Sequence, residues 1–339
     1  MASLPGWTRR LITIPSVFIA WALSLLLFPV LFVSAMVVDG WRALRAGTTP
    51  VAGRLVTFLL AYLSAEIFAM LGFLVVWLFT GFGRARARLV RMTYALQRWW
   101  ANYLWEAARL IFRLELAIEG GGLAAPGPIL VLSRHASIVD NILPFQLFSR
   151  SQRLKLRYVI KRELLIDPAL DIAGNWLPNH FVDRGGGDTE SELAALRRLG
   201  TGLTPTDGLV IFPEGTRFTP AKQRRALAIL AQRNPRLHRL ASGLRLLLPP
   251  RPGGVLALLE ASRADVVVMA HHGLDGFADL KDIWNGGMVG RTVAVRLTRV
   301  PFDQVPQGRA EITEWLFGVW QEMDDWLSAL GPQPVTAHG

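Results

Sequence analysis

The sequence predicts an α/β domain that follows a pair of long apolar helices. Two runs of nearly thirty residues near the N-terminus contain almost no charge, and shorter β-branched runs alternate with helical patterns from about residue 113 onward. Of the 339 residues, 51% are hydrophobic and 19% charged, whereas soluble domains usually carry about a quarter charged residues. The chain has no cysteine, which excludes disulfides, thiolate metal sites and a cysteine nucleophile.

Residues 1–83 are predicted to form a membrane anchor with two apolar helices. Leu11 to Val38 contains no charged residue, and Leu55 to Gly83 contains only Glu66. A membrane-spanning helix needs about 20 apolar residues, whereas the apolar core of a signal peptide has about 7–15. Both runs are therefore long enough to span, although a hairpin that does not cross fully stays open. Glu66 is either functional or bonded to a partner between helices.

The net charge of +11 belongs mainly to the flanks of these apolar runs. Residues 1–100 carry ten cations and two anions, whereas the remainder carries 27 cations and 24 anions. Arginines that flank apolar segments are typical of a membrane anchor rather than of a nucleic-acid site. Because more of them lie outside the hairpin than in its loop, we expect both termini, and the domain that follows, to face the cytoplasm at the inner membrane.

Residues 84–112 are predicted to form an amphipathic interfacial helix. Five arginines share a sector of about 80° on a helical wheel, and a tryptophan-rich apolar face lies opposite them. Such a helix suits a bilayer surface. The alternative is an ordinary amphipathic helix packed on the following domain.

Residues 113–330 are predicted to form the α/β domain, and residues 331–339 a disordered tail. The expected strands are Arg113–Ile118, Ile129–Ser133, Arg157–Ile160, His180–Val182, Leu209–Phe212, Asp265–Ala270 and Thr292–Leu297. The expected helices are Ile138–Phe148, Ser191–Leu199, Ala221–Gln232, Gly253–Ser262 and Arg309–Leu330.

The segment S-R-H-A-S-I-V-D contains a histidine and an aspartate five residues apart, His135 and Asp140. On a continuous helix these side chains would point about 140° apart, so they meet only if His135 lies in the preceding turn. The carboxylate would then orient the imidazole and leave its second nitrogen as a base. The alternative is a capping box, in which Asp140 bonds back to the backbone N–H of Ser137.

A second segment, F-P-E-G-T-R, follows a predicted buried strand. It places Glu214, Gly215, Thr216 and Arg217 at a strand end, where ligands of α/β sheets collect. Glycine allows close approach to an anion, and arginine binds phosphate through two parallel hydrogen bonds. A structural turn with a surface Arg217 is the alternative.

Taken together and in this order, the two segments resemble the glycerolipid acyltransferase family, whose members include the lysophosphatidic acid (1-acylglycerol-3-phosphate) acyltransferases. The resemblance extends from about Arg113 to Leu327 and is closest to the eukaryotic-type lysophosphatidic and lysocardiolipin acyltransferase branch. It includes Y-V-I-K-R-E-L at Tyr158, H-F-V-D-R at His180 and L-P-P-R-P-G-G at Leu248. The family usually has asparagine where this chain has Arg134, and a valine–proline pair that Asp265 to His271 lacks.

The resemblance implies a glycerol-phosphate-acyltransferase-like domain with a mostly parallel central sheet. It implies transfer of a fatty acyl group from acyl-CoA or an acyl carrier protein to a lysophospholipid hydroxyl in phospholipid biosynthesis, with no other cofactor and no metal. His135 and Asp140 would be catalytic, and residues 214–217 would bind the substrate phosphate. Weaker candidates for donor or phosphate contacts are Arg134, Lys161 and Arg184.

The implied partners are the two substrates and the lipid bilayer, without nucleic acid, and the sequence leaves the oligomeric state open. Three other interpretations stay open at this point. They are a different lysophospholipid acceptor such as lysocardiolipin, a non-catalytic membrane lipid-binding protein and, more remotely, a metal-dependent phosphohydrolase.

Overall fold

The computed structural model of the chain describes residues 4–137, 139–182, 190–275 and 280–331. Within these ranges the strands and helices alternate after an N-terminal region of three long helices. The strands are β1 (Glu115–Glu119), β2 (Ile129–Ser133), β3 (Lys155–Lys161), β4 (His180–Val182), β5 (Asp207–Ile211), β6 (Asp265–His272) and β7 (Thr292–Val300). The helices are α1 (Gly6–Ala46), α2 (Ala52–Phe79), α3 (Arg86–Phe112), α4 (Ile142–Pro144), α5 (Pro168–Trp176), α6 (Glu190–Gly200), α7 (Pro220–Arg233), α8 (Pro235–Ala241), α9 (Pro252–Ser262), α10 (Leu280–Trp284) and α11 (Arg309–Leu330).

Helices α1 and α2 form a hairpin whose loop is closed by a buried carboxylate. Asp39 Oδ1 accepts hydrogen bonds from the backbone N–H groups of Val51 and Ala52, each at 2.9 Å, and its Oδ2 accepts one from Gly53 at 2.9 Å. These are N–H groups that the start of a helix leaves without an intrahelical partner. Both helices are long and apolar enough to cross a membrane, judged by length and composition. This agrees with the two apolar helices expected from the sequence.

The hairpin is bonded to the α/β domain through α5. The fully buried carboxylate of Asp171 pairs with Arg9 Nη2 at 2.7 Å and with Arg10 Nε at 3.0 Å. Glu66, also fully buried, accepts from Trp100 Nε1 at 2.9 Å and from the backbone N–H of Ala169 at 3.3 Å. Glu66 is therefore bonded to partners on α3 and α5.

Helix α3 packs along one face of the domain and leaves part of its surface exposed. Tyr94 and Trp105 are buried, and the hydroxyl of Tyr94 donates to the Leu156 carbonyl on β3 at 3.2 Å. By contrast, Trp99 is 43% exposed and Leu110 is 67% exposed. Packing on the domain, one of the two alternatives above, accounts for the buried face, and a bilayer contact for the exposed face stays a prediction.

The seven strands form one sheet in the order β1-β7-β6-β2-β5-β3-β4. Every neighbouring pair is parallel except β6 and β7, which are antiparallel. The mostly parallel α/β fold expected from the sequence is therefore confirmed. All seven expected strands are present, with ends that differ by up to three residues.

Alternate residues of the central strands point to opposite faces and create two cores. On one face Val131, Val210 and Val267 pack with residues of α3, including Trp105. On the other face Leu130 and its neighbours pack with α6, α9 and α11. The N-terminal helices therefore cover one face of the sheet, and the later helices cover the other.

The expected helix Ile138–Phe148 differs from the structure. Ile138 lies outside the described residues, α4 begins only at Ile142, and the chain continues as a π-helical turn from Phe145 to Arg150. The delay has a local cause, because the Asp140 carboxylate binds the N–H groups of Ala136 and Ser137 and holds the chain in a turn. Helices α5, α8 and α10 were not expected, and the tail after Gly331 lies outside the described residues.

Candidate active site

The two sequence segments meet at the carboxyl ends of neighbouring strands. Strand β2 ends at Ser133 and leads into His135, while β5 ends at Ile211 and leads into Glu214. Because β2 and β5 are adjacent and parallel, both turns leave the same edge of the sheet. The backbone N–H of Phe218 donates to the His135 carbonyl at 3.1 Å, which joins the two turns directly.

His135 and Asp140 form the pair that the sequence predicts. His135 Nδ1 lies 3.0 Å from Asp140 Oδ2, and the imidazole is 13% exposed. Because an ionised carboxylate only accepts hydrogen bonds, Nδ1 carries the proton. This leaves the Nε2 lone pair of the neutral ring available as a base.

Asp140 also closes the turn that carries His135. Its Oδ2 accepts from the backbone N–H groups of Ala136 at 2.6 Å and Ser137 at 2.8 Å, and its Oδ1 accepts from the Ser137 hydroxyl at 2.6 Å. Complete burial opposes ionisation, but nearby His271 and the hydrogen bonds from His135 and Ser137 outweigh it and lower the Asp140 pKa. The orienting role and the turn-closing role that the sequence left as alternatives are thus filled by one carboxylate.

Glu214 connects three segments of the site from a buried position. Its Oε1 accepts from the backbone N–H of His135 at 2.8 Å, and its Oε2 accepts from that of Leu248 at 3.0 Å. Burial raises the pKa of Glu214 to about 8, against the opposing effect of these two hydrogen bonds. These contacts order the turn, and direct binding of substrate phosphate by Glu214 stays a prediction.

The G-T-R part of the second turn is more open than Glu214. Gly215 has a φ of +69°, which non-glycine residues adopt only with strain, and its N–H donates to the Phe212 carbonyl at 3.0 Å. Thr216 and Arg217 are half-buried, and Lys222 Nζ donates to Thr216 Oγ1 at 3.1 Å and to the Arg217 carbonyl at 3.0 Å. Two cationic side chains and a hydroxyl therefore share this turn.

Residues 117–271, which contain both turns, match the family model described as Acyltransferase. Over this stretch the chain resembles the acyltransferase family. It is 25% identical over 228 residues to a probable 1-acyl-sn-glycerol-3-phosphate acyltransferase 5 from Arabidopsis thaliana, a match that covers 64% of this chain and 57% of that relative. The chain thus spans little more than half the length of that relative.

A solved structure resembles the fold of this chain. The crystal structure of the 1-acyl-sn-glycerophosphate (LPA) acyltransferase PlsC from Thermotoga maritima matches 83% of this chain and 100% of its own, with a TM-score of 0.50 and 14% identity. At this identity the match shows a common fold.

The fold buries Arg134, the residue that departs from the pattern of the family that the chain resembles. Its side chain is 2% exposed, Nη1 donates to the His271 carbonyl at 2.8 Å, and Nη2 pairs with Asp275 Oδ1 at 2.5 Å. Arg134 therefore ties the end of β2 to the end of β6. A contact between Arg134 and an anionic substrate stays a prediction.

The fold also holds a second histidine behind Asp140, which the sequence analysis did not single out. His271 is fully buried, and its Nε2 lies 3.2 Å from the Arg134 carbonyl and 3.7 Å from Asp140 Oδ1. Burial lowers the pKa of His271, and its Nδ1 has no partner among the described residues. The signal that could have found it is the position of β6 beside β2, which the sequence does not disclose.

Of the other candidates, Lys161 lies half-buried at the carboxyl end of β3, next to β5. Arg184 lies outside the described residues. Among the residues that the structure describes, no group of three or more histidine, cysteine, aspartate and glutamate side chains is arranged to hold a metal ion.

An apolar cleft is lined in part by Asn141, the residue that follows Asp140 in the chain. It contains about 560 Å³ of empty space, its open mouth included. Asn141 and Phe145 line it together with Phe73 of α2, Trp100 of α3 and Gly174 of α5. The N-terminal helices and α5 therefore form part of its wall.

Proposed function

We propose that this acyltransferase moves a fatty acyl group from an acyl thioester to the free hydroxyl of lysophosphatidic acid, which gives phosphatidic acid for phospholipid synthesis. The observation that carries the proposal is the His135–Asp140 pair, whose base nitrogen faces away from the carboxylate at the edge that also holds the G-T-R turn. The relatives support the reaction class, since both carry names of acyltransferases for this acceptor.

In the proposed reaction, His135 Nε2 takes the proton of the acceptor hydroxyl as its oxygen attacks the thioester carbonyl. The new carbon–oxygen bond forms, the carbon–sulfur bond breaks, and the imidazolium returns the proton to the departing thiolate. Asp140 stabilises the positive ring between these steps. The cycle needs no covalent enzyme intermediate and no cofactor besides the donor.

The developing oxyanion needs preorganised N–H donors. The N–H groups of Ala136 and Gly215 are already used, since they donate to Asp140 and to the Phe212 carbonyl. The N–H of Thr216 makes no hydrogen bond within the described residues, and we assign the oxyanion to it. Arg217, with Gly215 and Thr216, would bind the acceptor phosphate.

The apolar elements suit substrates that prefer lipid. The cleft beside Asn141 offers an apolar site for the acyl chain, and removing that chain from water is favourable. The two apolar helices would hold the enzyme in the cytoplasmic membrane with the catalytic domain on the cytoplasmic side.

The test is acyl transfer to lysophosphatidic acid by the purified full chain in neutral detergent. His135→Ala should lower kcat by about 10² to 10⁴, the usual contribution of a general base. His180→Ala is a matched control, because His180 Nε2 contacts Glu192 at 2.7 Å on the edge strand β4 and takes no part in the proposed site. Equal rates for His135→Ala and wild type would disprove the assignment of the base.

A panel of lysolipid acceptors separates the proposal from its alternatives. Preference for lysophosphatidic acid over lysocardiolipin is expected. Arg217→Ala should raise the KM for lysophosphatidic acid by about tenfold or more, because a charge-assisted contact with its phosphate is lost. Preference for lysocardiolipin would change the acceptor but leave the mechanism. Lipid binding without turnover on any acceptor would indicate a non-catalytic protein.

A further inference from the structure

The segment after the F-P-E-G-T-R turn is strongly cationic. From Gly215 to Leu259 the sequence contains no aspartate or glutamate. Helices α7 and α8 lie within it and carry most of its charge. The cations of the segment are Arg217, Lys222, Arg224, Arg225, Arg233, Arg236, Arg239, Arg245 and Arg251.

Four of these cations form an exposed face, which we call the α7–α8 face: Arg224, Arg225, Arg233 and Arg239. Helix α7 contains no buried residue. Within the described residues these four make no ion pair, whereas Arg236 pairs with Glu314 at 2.5 Å and Arg245 with Asp325 at 2.8 Å. The face therefore presents positive charge that its own domain leaves unneutralised.

The fold does not need these four cations to hold α7 and α8 in place. Leu227, Leu230 and Leu237 pack against the core on the sheet face opposite α3. Gln223 Nε2 donates to the carbonyls of Leu244 and Leu247, each at 3.0 Å. Apolar packing and neutral hydrogen bonds thus hold α7 and α8 in place without a contribution from the four arginines.

The face begins at the candidate active site. Phe218, which bonds the His135 carbonyl, lies two residues before the start of α7 at Pro220. The 14 residues of α7 extend for about 21 Å. The N-terminal end of the face therefore adjoins the turn that carries His135.

We propose that the α7–α8 face docks an acidic carrier protein that presents the acyl thioester to His135. This inference rests on the proposed function and names the donor class for the same site. The face is longer than the phosphate groups of one nucleotide cofactor, and the same two helices carry two exposed apolar side chains, Ile229 at 43% and Leu240 at 39%. Apolar contacts within a polar rim are typical of protein interfaces.

A membrane surface fits this face less well. Helices that lie in a bilayer insert a broad apolar face, whereas Leu227, Leu230 and Leu237 are engaged with the domain core. The apolar hairpin, moreover, packs on the other side of the sheet. The charge and the position together favour an acidic partner that arrives from water.

The experiment compares two donors of the same chain length, the thioester of an acidic acyl carrier protein and that of coenzyme A. The full chain is assayed in neutral detergent with lysophosphatidic acid as acceptor. Arg225→Glu/Arg233→Glu should raise the KM for the carrier thioester by about tenfold with kcat and the KM for the coenzyme A thioester unchanged. In wild type, added salt should raise the carrier KM selectively.

The matched control is Lys155→Glu/Arg198→Glu, which makes the same charge change at exposed positions near the opposite ends of the strands and should leave both KM values unchanged. A rise only in the coenzyme A KM would overturn the proposal in favour of nucleotide binding. An effect that needs anionic lipid would overturn it in favour of a membrane contact. If the wild type used only the coenzyme A thioester, the docking proposal would be overturned but the proposed function would stand. Only inactivity with both donors would overturn the proposed function.

Discussion

Asp140→Asn tests the electrostatic role of the candidate pair while keeping its shape. The amide oxygen can take the place of Oδ2 and accept from His135, Ala136 and Ser137, and the amide nitrogen can donate to the Ser137 hydroxyl. The turn should therefore persist, and the imidazole should keep its proton on Nδ1. Only the negative charge beside His135 is lost.

The size of the effect follows from the 3.0 Å contact between His135 Nδ1 and Asp140 Oδ2. A unit charge pair at that distance interacts by about 5 kcal/mol at an effective dielectric constant of about 20. The amide dipole retains part of this attraction. We therefore expect the imidazolium to lose about 3–5 kcal/mol of stabilisation in the transition state, a fall of about 10² to 10⁴ in kcat.

The assay is steady-state acyl transfer with both substrates varied, accompanied by thermal unfolding. Asp140→Asn should keep Tm and both KM values close to wild type. Asp140→Ala should in addition lower Tm, because it leaves buried N–H groups at Ala136 and Ser137 without an acceptor. A correctly folded Asp140→Asn enzyme with kcat within threefold of wild type would refute this account of the pair.

Three further predictions concern residues around the pair. His271→Phe should lower kcat about tenfold with little change in KM, because the ring loses the N–H beside Asp140, whereas His271→Gln should stay within threefold; steady-state rates measure both. The Glu214 pKa of about 8 in the folded protein, against 4.5 ordinarily, means that its proton is bound more tightly in the folded state. Its contribution to stability is therefore lost as pH rises from about 4.5 to about 8, and Glu214→Gln should flatten the dependence of Tm on pH across that range. Gly215→Ala places a side chain at φ +69°, which costs about 1–2 kcal/mol, so Tm should fall and the acceptor KM should rise several-fold.

Each of these has an outcome that contradicts it. Equal losses in His271→Phe and His271→Gln would indicate that packing, not hydrogen bonding, is what His271 supplies. An unchanged pH profile in Glu214→Gln would show that Glu214 is ionised throughout. Wild-type Tm and KM in Gly215→Ala would show that the turn does not require a left-handed residue.

The sheet could be predicted from the sequence because its central strands are short, β-branched and buried on both faces. Ile129–Ser133 was predicted to the residue, and so was α11 with its long apolar stripe. Helix α5 was missed because its apolar residues face α2 and α3, and a segment of nine residues shows too little periodicity to reveal that contact. The strand order was also inaccessible, since it depends on crossovers that no local pattern records.

The same distinction applies to the candidate site. His135, Asp140 and the turn at Glu214 could be predicted because each lies a few residues from a recognisable strand end. His271 and Asp275 were missed because they lie at the end of β6 and just after it, more than 130 positions beyond Arg134 in the chain. The occupied N–H groups of Ala136 and Gly215 also escaped prediction, since their acceptors are fixed by backbone geometry.

The bonds between the hairpin and α5 bear on how shortened versions of this enzyme should be interpreted. A chain starting at residue 84 would lack the two guanidinium groups that neutralise Asp171, and Phe73, which lines the apolar cleft. Its N-terminal deletion would also leave the Ala169 amide without the Glu66 carboxylate. Poor turnover by such a fragment would then report a damaged cleft as much as a missing bilayer, and solubilising the intact chain is the cleaner way to separate the two.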